Sequence, residues 1–144
     1  EAEDVAAIKE GLKDGTLDCI VTDHAPHHRD EKMVEYNIAA FGISGIETSF
    51  SLSYTYLVKG GVLTLSQLAQ RMSENPASVL GLEGGKLEEG GVADVMLADL
   101  SKRYVIDSKD FLSKGKNTPF NGTEVYGKVV YTLVDGEIKY RDKE

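Results

Sequence analysis

The chain has 144 residues, 41% of them hydrophobic and 28% charged, and a formal net charge of −8. That make-up suits one ordinary globular domain or a piece of a larger one; the acidic balance excludes the clustered basic face a nucleic-acid binder needs and disfavours an anionic membrane surface. The single cysteine, Cys19, excludes an intrachain disulfide and fits a reducing, cytoplasmic setting.

The first residues are charged, with no signal-like apolar stretch, and the longest apolar runs fall short of the ~20 residues a membrane helix takes. The chain starts without Met inside an amphipathic pattern, which leads us to expect a fragment. In "AEDVAAIKEGLKDG", Val5, Ile8 and Leu12 recur at helical spacing, and Gly15 reads as the stop. The short β-branched run "DCIVTD" follows and predicts a buried strand. Helix, tight loop and strand in that order form an α/β rhythm.

Residues 28–46, "HRDEKMVEYNIAAFGISGI", are polar and then punctuated by glycine, and predict a long loop of the functional kind. Phe50, Tyr54 and Val58 share a helical face that ends at Gly60-Gly61. Thr64 and Gln67 have the spacing of a capping box. Asn75 and Pro76 read as the N-cap and first residue of a further helix. Near residue 84 the texture changes: "EGGKLEEGG" is a turn-rich hinge, and "VADVMLADL", "RYVI" and "EVYGKVVYTLVDGEIKY" are strand-like. Asp135-Gly136 between two such runs is a strong hairpin signal. Residues 1–83 thus read as α/β and residues 84–144 as all-β.

The chemistry concentrates in "CIVTDHAPHHRDE", where Asp23 closes the predicted strand and all three histidines follow within five residues. Functional residues gather at the carboxyl edge of parallel strands. A carboxylate there can ligate a divalent ion, serve as a general base, or simply bond loop amides. His24, His27 and His28 can ligate, bind an anion or cap the strand end. A catalytic zinc takes about three protein ligands, and the chain holds no C-x-x-C, H-E-x-x-H or second histidine cluster. The stretch alone is therefore not a complete metal site. "FGISG" can bring backbone N–H groups close to a ligand. "GGKLEEGG" lacks the phosphate-loop spacing, and "SFSLSY" is no nucleophile elbow.

In order, "DCIVTDHAPHHRDEK", "FGISGIET", "NPASVLGL", "GGKLEEGGVADVMLAD" and "NTPFNGTEVYGKVVYTLVDGEI" span nearly the whole chain. Together they resemble the C-terminal part of the dihydroorotases, the cyclic amidohydrolases of pyrimidine biosynthesis, and in particular the longer bacterial type. Allantoinases and hydantoinases look similar in the "NPA" and "G.L..G..AD" regions but usually differ after the "DH".

The resemblance implies an α/β fold: the C-terminal portion of an amidohydrolase TIM barrel over 1–83, with its last strand and flanking helices, then the C-terminal part of a small β-sandwich over 84–144. It implies a zinc enzyme, with one or two ions, that interconverts N-carbamoyl-L-aspartate and dihydroorotate in the cytoplasm. The remaining metal ligands would lie outside this chain, which is then inactive alone. Asp23 matches the aspartate that contacts the metal centre and shuttles the proton. His27 matches the histidine on the substrate carboxylate, and Phe41 and Gly42 match a segment whose backbone approaches the substrate. Many relatives have proline just before that pair, where this chain has Ala40. His24 and His28 carry no transferable role and are expected to make structural hydrogen bonds or face solvent. The implied partners are the small-molecule substrate, a homodimer or aspartate carbamoyltransferase, with neither nucleic acid nor membrane. A hydantoinase or allantoinase, or a non-catalytic dihydroorotase-like scaffold, is the alternative; the presence of both Asp23 and His27 favours the enzyme.

Overall fold

The computed structural model describes residues 1–142. Helices occupy the first part of the chain and an antiparallel sheet the second. Helix α1 runs Ala2–Asp14 with acidic residues in its first turn and Lys13 in its last, the charge order that the helix dipole favours. It ends where predicted, because Gly15 takes the left-handed conformation (φ 91°) that a side chain resists. Only Leu12 of its apolar stripe is buried; Val5 and Ile8 stay more than half exposed.

The next segment departs from the sequence reading. "DCIVTD" does not form a strand. A strand needs a partner for its backbone ladder. Among the described residues this stretch leads only to one parallel bridge, between His24 and Ile43. Its other restraints come from a helix: the Ile20 N–H donates to the Arg71 carbonyl (2.8 Å) and Asn75 Nδ2 to the Asp18 carbonyl (2.9 Å). The 28–46 loop is also more ordered than expected, since it carries a short helix, α2 (Arg29–Lys32).

Helix α3 (Ile46–Ser53) continues through a wide π turn over Tyr54–Val58. Helix α4 (Leu65–Ala69) opens at the predicted capping box: the Gln67 N–H donates to Thr64 Oγ1, and the Thr64 N–H donates to Gln67 Oε1. The expected new start at Asn75 is not there. A second π turn (Gln70–Glu74) leads without a break into α5 (Asn75–Leu80), and Asn75 is itself helical. Pro76 lacks an N–H and crowds the carbonyl four residues back in a regular helix; the wider turn before it accommodates both defects. The Asn75 side chain is freed to hold Asp18 instead.

Strand β1 (Val95–Val105) unites the two predicted runs. They looked separate because register shifts occur after Leu97 and between Asp99 and Arg103. There the Asp99 carboxylate accepts from the Ser101 and Lys102 N–H groups and bends the strand. Strands β2 (Glu124–Val134) and β3 (Glu137–Arg141) form the predicted hairpin, with Asp135 and Gly136 both at positive φ as a type I′ turn demands. The sheet order is β1-β2-β3, all antiparallel.

One core gathers Leu12, Leu63 and Leu68 with Ile20, Phe50, Tyr54, Leu57 and Met72 against them. The sheet contributes buried Ile106 and Val125. Helix α3 and its π turn meet β1 and β2 through polar contacts: Ser51 Oγ lies 2.7 Å from both Tyr104 Oη and the Gly127 carbonyl, and Thr55 Oγ1 accepts the Tyr126 N–H at 2.8 Å. Gly127 is buried against Phe50 and Tyr54, whose rings stack 6.1 Å apart.

Candidate active site

The site is built where the 18–23 segment turns. Asp23 takes φ 43°, a left-handed conformation for a residue with a side chain, and is exposed. Such backbone costs on the order of 1 kcal/mol and collects at functional positions, and aspartate tolerates it better than most residues. The turn passes the chain to the His24–Ile43 bridge, where the Ala25 N–H donates to the Ile43 carbonyl at 2.8 Å. Two chain arms result, one carrying residues 24–28 and one carrying residues 41–45.

The arms touch closely. A Cβ on Gly42 would lie 2.4 Å from Ala25 Cβ and 3.6 Å from His27 Cδ2, and its φ of 119° disfavours any side chain. Glycine is thus what lets the second arm close on Ala25, with His27 in ordinary contact beside it. His27 and Gly42, both expected from the resemblance to bind substrate, are brought together. Phe41 next to them is almost wholly exposed, and Asp23 sits at the base of the first arm.

The His27 side chain is one-third exposed, and its Nδ1 lies 3.5 Å from Glu31 Oε2, an ion pair when the imidazole is protonated. The same Glu31 carboxylate accepts the His28 N–H at 3.1 Å, so α2 orients His27 from one side. The separation of four residues between His27 and Glu31 was available as a sequence signal. Lys32 Nζ donates to the Ala40 and Gly42 carbonyls and pins the second arm.

The other two histidines bond backbone amides. His24 Nδ1 accepts from the Gly45 N–H (3.1 Å) and the Ile46 N–H (3.4 Å), two donors that the start of α3 would otherwise leave free. His28 caps α2 by accepting the Asp30 N–H at 3.3 Å, with its side chain largely in solvent. Among the described residues no three His, Cys, Asp or Glu side chains come together as a metal cage. The described residues by themselves do not fit a complete metal centre. No helix among them is long and apolar enough to cross a membrane.

A family model described as "Amidohydrolase family" matches residues 1–139. The chain belongs to the amidohydrolase family. Its curated relatives include a dihydroorotase of Acetivibrio thermocellus, 54% identical over 97% of this chain, and one of Pelobacter propionicus, 55% identical over 98%. The chain spans 33% of the length of each. Among solved amidohydrolases, it superimposes on the L-hydantoinase of Arthrobacter aurescens with a TM-score of 0.87 at 32% identity, covering 95% of this chain and 32% of that one. The D-hydantoinase of a Bacillus sp. gives 0.88 at 26% identity over 96% of this chain and 31% of that one. An amidohydrolase segment with helices followed by a three-stranded antiparallel sheet is therefore the fold at hand.

Proposed function

We propose that this chain is the C-terminal third of a dihydroorotase, acting in the cytoplasm, which interconverts N-carbamoyl-L-aspartate and dihydroorotate. The observation that carries the reading is identity above 50% to dihydroorotases over nearly the whole chain. Residues 1–83 would complete a TIM barrel, with 18–23 as its last strand once a neighbouring strand lies beside it, and 84–144 would enter a β-sandwich. Zinc, one or two ions, is the cofactor that goes with this reading. Asp23 would be its contact here, and the other ligands would belong to the rest of the enzyme.

Asp23 is suited to proton transfer: it is exposed at a turn and its backbone is held by the bridge that follows it. In hydrolysis it takes the proton of the attacking water as the oxygen bonds to the ring carbonyl carbon. It then gives that proton to the ring nitrogen as the C–N bond breaks. His27 holds the substrate carboxylate, and the Phe41–Gly42 backbone lies along the ring. A homodimer, or association with aspartate carbamoyltransferase, is the assembly this reading implies.

The test is turnover of dihydroorotate by the full-length protein and its Asp23→Ala variant. Loss of a proton-transfer group predicts a fall of roughly 10²–10⁴-fold; near-native turnover in the variant rejects the role. The likeness to hydantoinase structures favours a second reading, a hydantoin- or allantoin-cleaving enzyme. A panel of dihydroorotate, hydantoin and allantoin separates the two.

A further inference from the structure

The 106–123 connection between β1 and β2 does more than join strands. Its Gly115 is buried against the first arm: a Cβ there would stand 2.6 Å from Pro26 Cβ, 2.7 Å from Pro26 Cα and 2.9 Å from Ser44 Oγ. Ser44, 2% exposed, donates its hydroxyl to the Gly115 carbonyl at 2.7 Å. The Ser44 N–H donates to the Asn117 carbonyl at 2.8 Å, and Asn117 Nδ2 reaches the Gly42 carbonyl at 3.4 Å. Gly115 to Asn117 therefore touches both arms, the one with His27 through Pro26 and the one with Gly42 through Ser44.

The segment has its own anchor. Both oxygens of the Glu47 carboxylate, in the first turn of α3, accept backbone N–H groups of the connection: Leu112 at 2.7 Å and Ser113 at 3.0 Å. Lys116 Nζ closes the segment on itself by donating to the Phe111 carbonyl. A charged acceptor gripping two amides is among the stronger hydrogen-bonding arrangements. Glu47 makes no contact with His27 or Gly42 in this network; it reaches them only through the connection.

We infer that Leu112–Asn117, anchored by Glu47, is a strap that sets the spacing of the two substrate-binding arms, and that Glu47 and Gly115 are positioning residues for substrate affinity. The inference rests on the reading of His27 and Gly42 as the substrate-carboxylate side of the pocket. The strap belongs to the C-terminal part of the chain and the arms to the first part, so it couples the two across more than 60 positions of sequence.

The experiment uses the full-length protein and compares Gly115→Ala, Glu47→Ala and Glu47→Gln. Displacing an arm by a fraction of an ångström predicts a KM for dihydroorotate raised roughly tenfold with kcat within about twofold, since misplacement of about 1 Å costs up to ~10²-fold. Glu47→Gln keeps one strong acceptor and recovers most of the lost affinity. Hydrogen exchange quickens over residues 24–28 and 42–45 in Glu47→Ala but not over α4 and α5. Native KM in both Gly115→Ala and Glu47→Ala, or a fall in kcat at unchanged KM, overturns the strap. Should Gly115→Ala fail to fold, the Glu47 pair decides. Should the unsubstituted protein leave dihydroorotate untouched, the functional reading falls, and the exchange pattern alone decides the strap: protected arms in Glu47→Ala refute it.

Discussion

Replacing Gly127 with alanine tests how the helices are fastened to the sheet. Gly127 sits on β2 at φ 83°, with its carbonyl taken by Ser51 Oγ. A Cβ would stand 2.9 Å from Tyr54 Cδ1 and 3.2 Å from Phe50 Cε1. Neither contact is a flexible tip: both are ring atoms of a stacked pair, 11° from parallel. The substitution carries two costs, about 1–2 kcal/mol for a left-handed alanine and about 1–3 kcal/mol for overpacking. Gly122→Ala is the internal control. Its φ is 82°, the same within a degree, and nothing lies within 4 Å of its Cβ position. It should cost only the conformational part. The difference between the two variants, about 1–3 kcal/mol, is the packing contribution. The chain has seven tyrosines and no tryptophan, so near-ultraviolet dichroism follows the tertiary packing of its tyrosines, Tyr54 among them, during urea denaturation. With a urea slope of about 1–3 kcal/mol per molar, the Gly127→Ala midpoint should fall about 1 M below that of Gly122→Ala. Coincident midpoints would refute the claim that close ring packing holds α3 to β2.

The remaining predictions concern charge and strain. Burial works to raise the Asp142 carboxyl, but hydrogen bonds from Lys128 (3.0 Å) and Lys102 (3.3 Å) outweigh it and hold the group below its ordinary 3.8. A depressed folded value means stability that is present above the ordinary value and lost as pH falls through 3.8 and below. Asp142→Asn should therefore be less stable than the native chain at neutral pH, and the two should converge on acidification; urea midpoints measured from neutral to strongly acidic pH check this. Asp23→Gly should relieve the backbone strain and raise the thermal midpoint by a few degrees, while turnover of dihydroorotate in the full-length protein falls roughly 10²-fold or more. A lowered midpoint would show that the φ of 43° at Asp23 stores no strain.

What the sequence made legible has a common physical basis: each signal is satisfied within a few residues. Gly15 stops α1 because one residue must be left-handed, Thr64 and Gln67 exchange bonds three positions apart, and Asp135-Gly136 twists as the strands require. The glycine at 42 belongs with these, although what it approaches, Ala25 and His27, had to be seen. Elements that depend on distant partners were misjudged. "CIVT" has every local property of a buried strand, yet strand identity lies in the ladder, and the ladder needs a neighbour that the described residues do not supply. Asn75 and Pro76 look like a helix start because that pair usually is one; a π turn one step upstream removes the need for a break.

The same distinction sorts the site. Asp23, His27, Phe41 and Gly42 lie within 20 positions of one another and could be read as one stretch. Glu47, Gly115 and Asn117 could not, because nothing in "GIET" or "SKGKNT" by itself says that the two meet. Loops that cross from one half of a protein to another carry few local demands, so their composition is permissive until they dock. Here docking is demanding: Gly115 has no room for a methyl group, and the Glu47 carboxylate takes two backbone donors from a segment that would otherwise be free to wander. A loop with no requirement of its own has acquired two from its neighbours. That is the physical ground for placing the strap, rather than the exposed Phe41 side chain, in control of how far apart the arms stand.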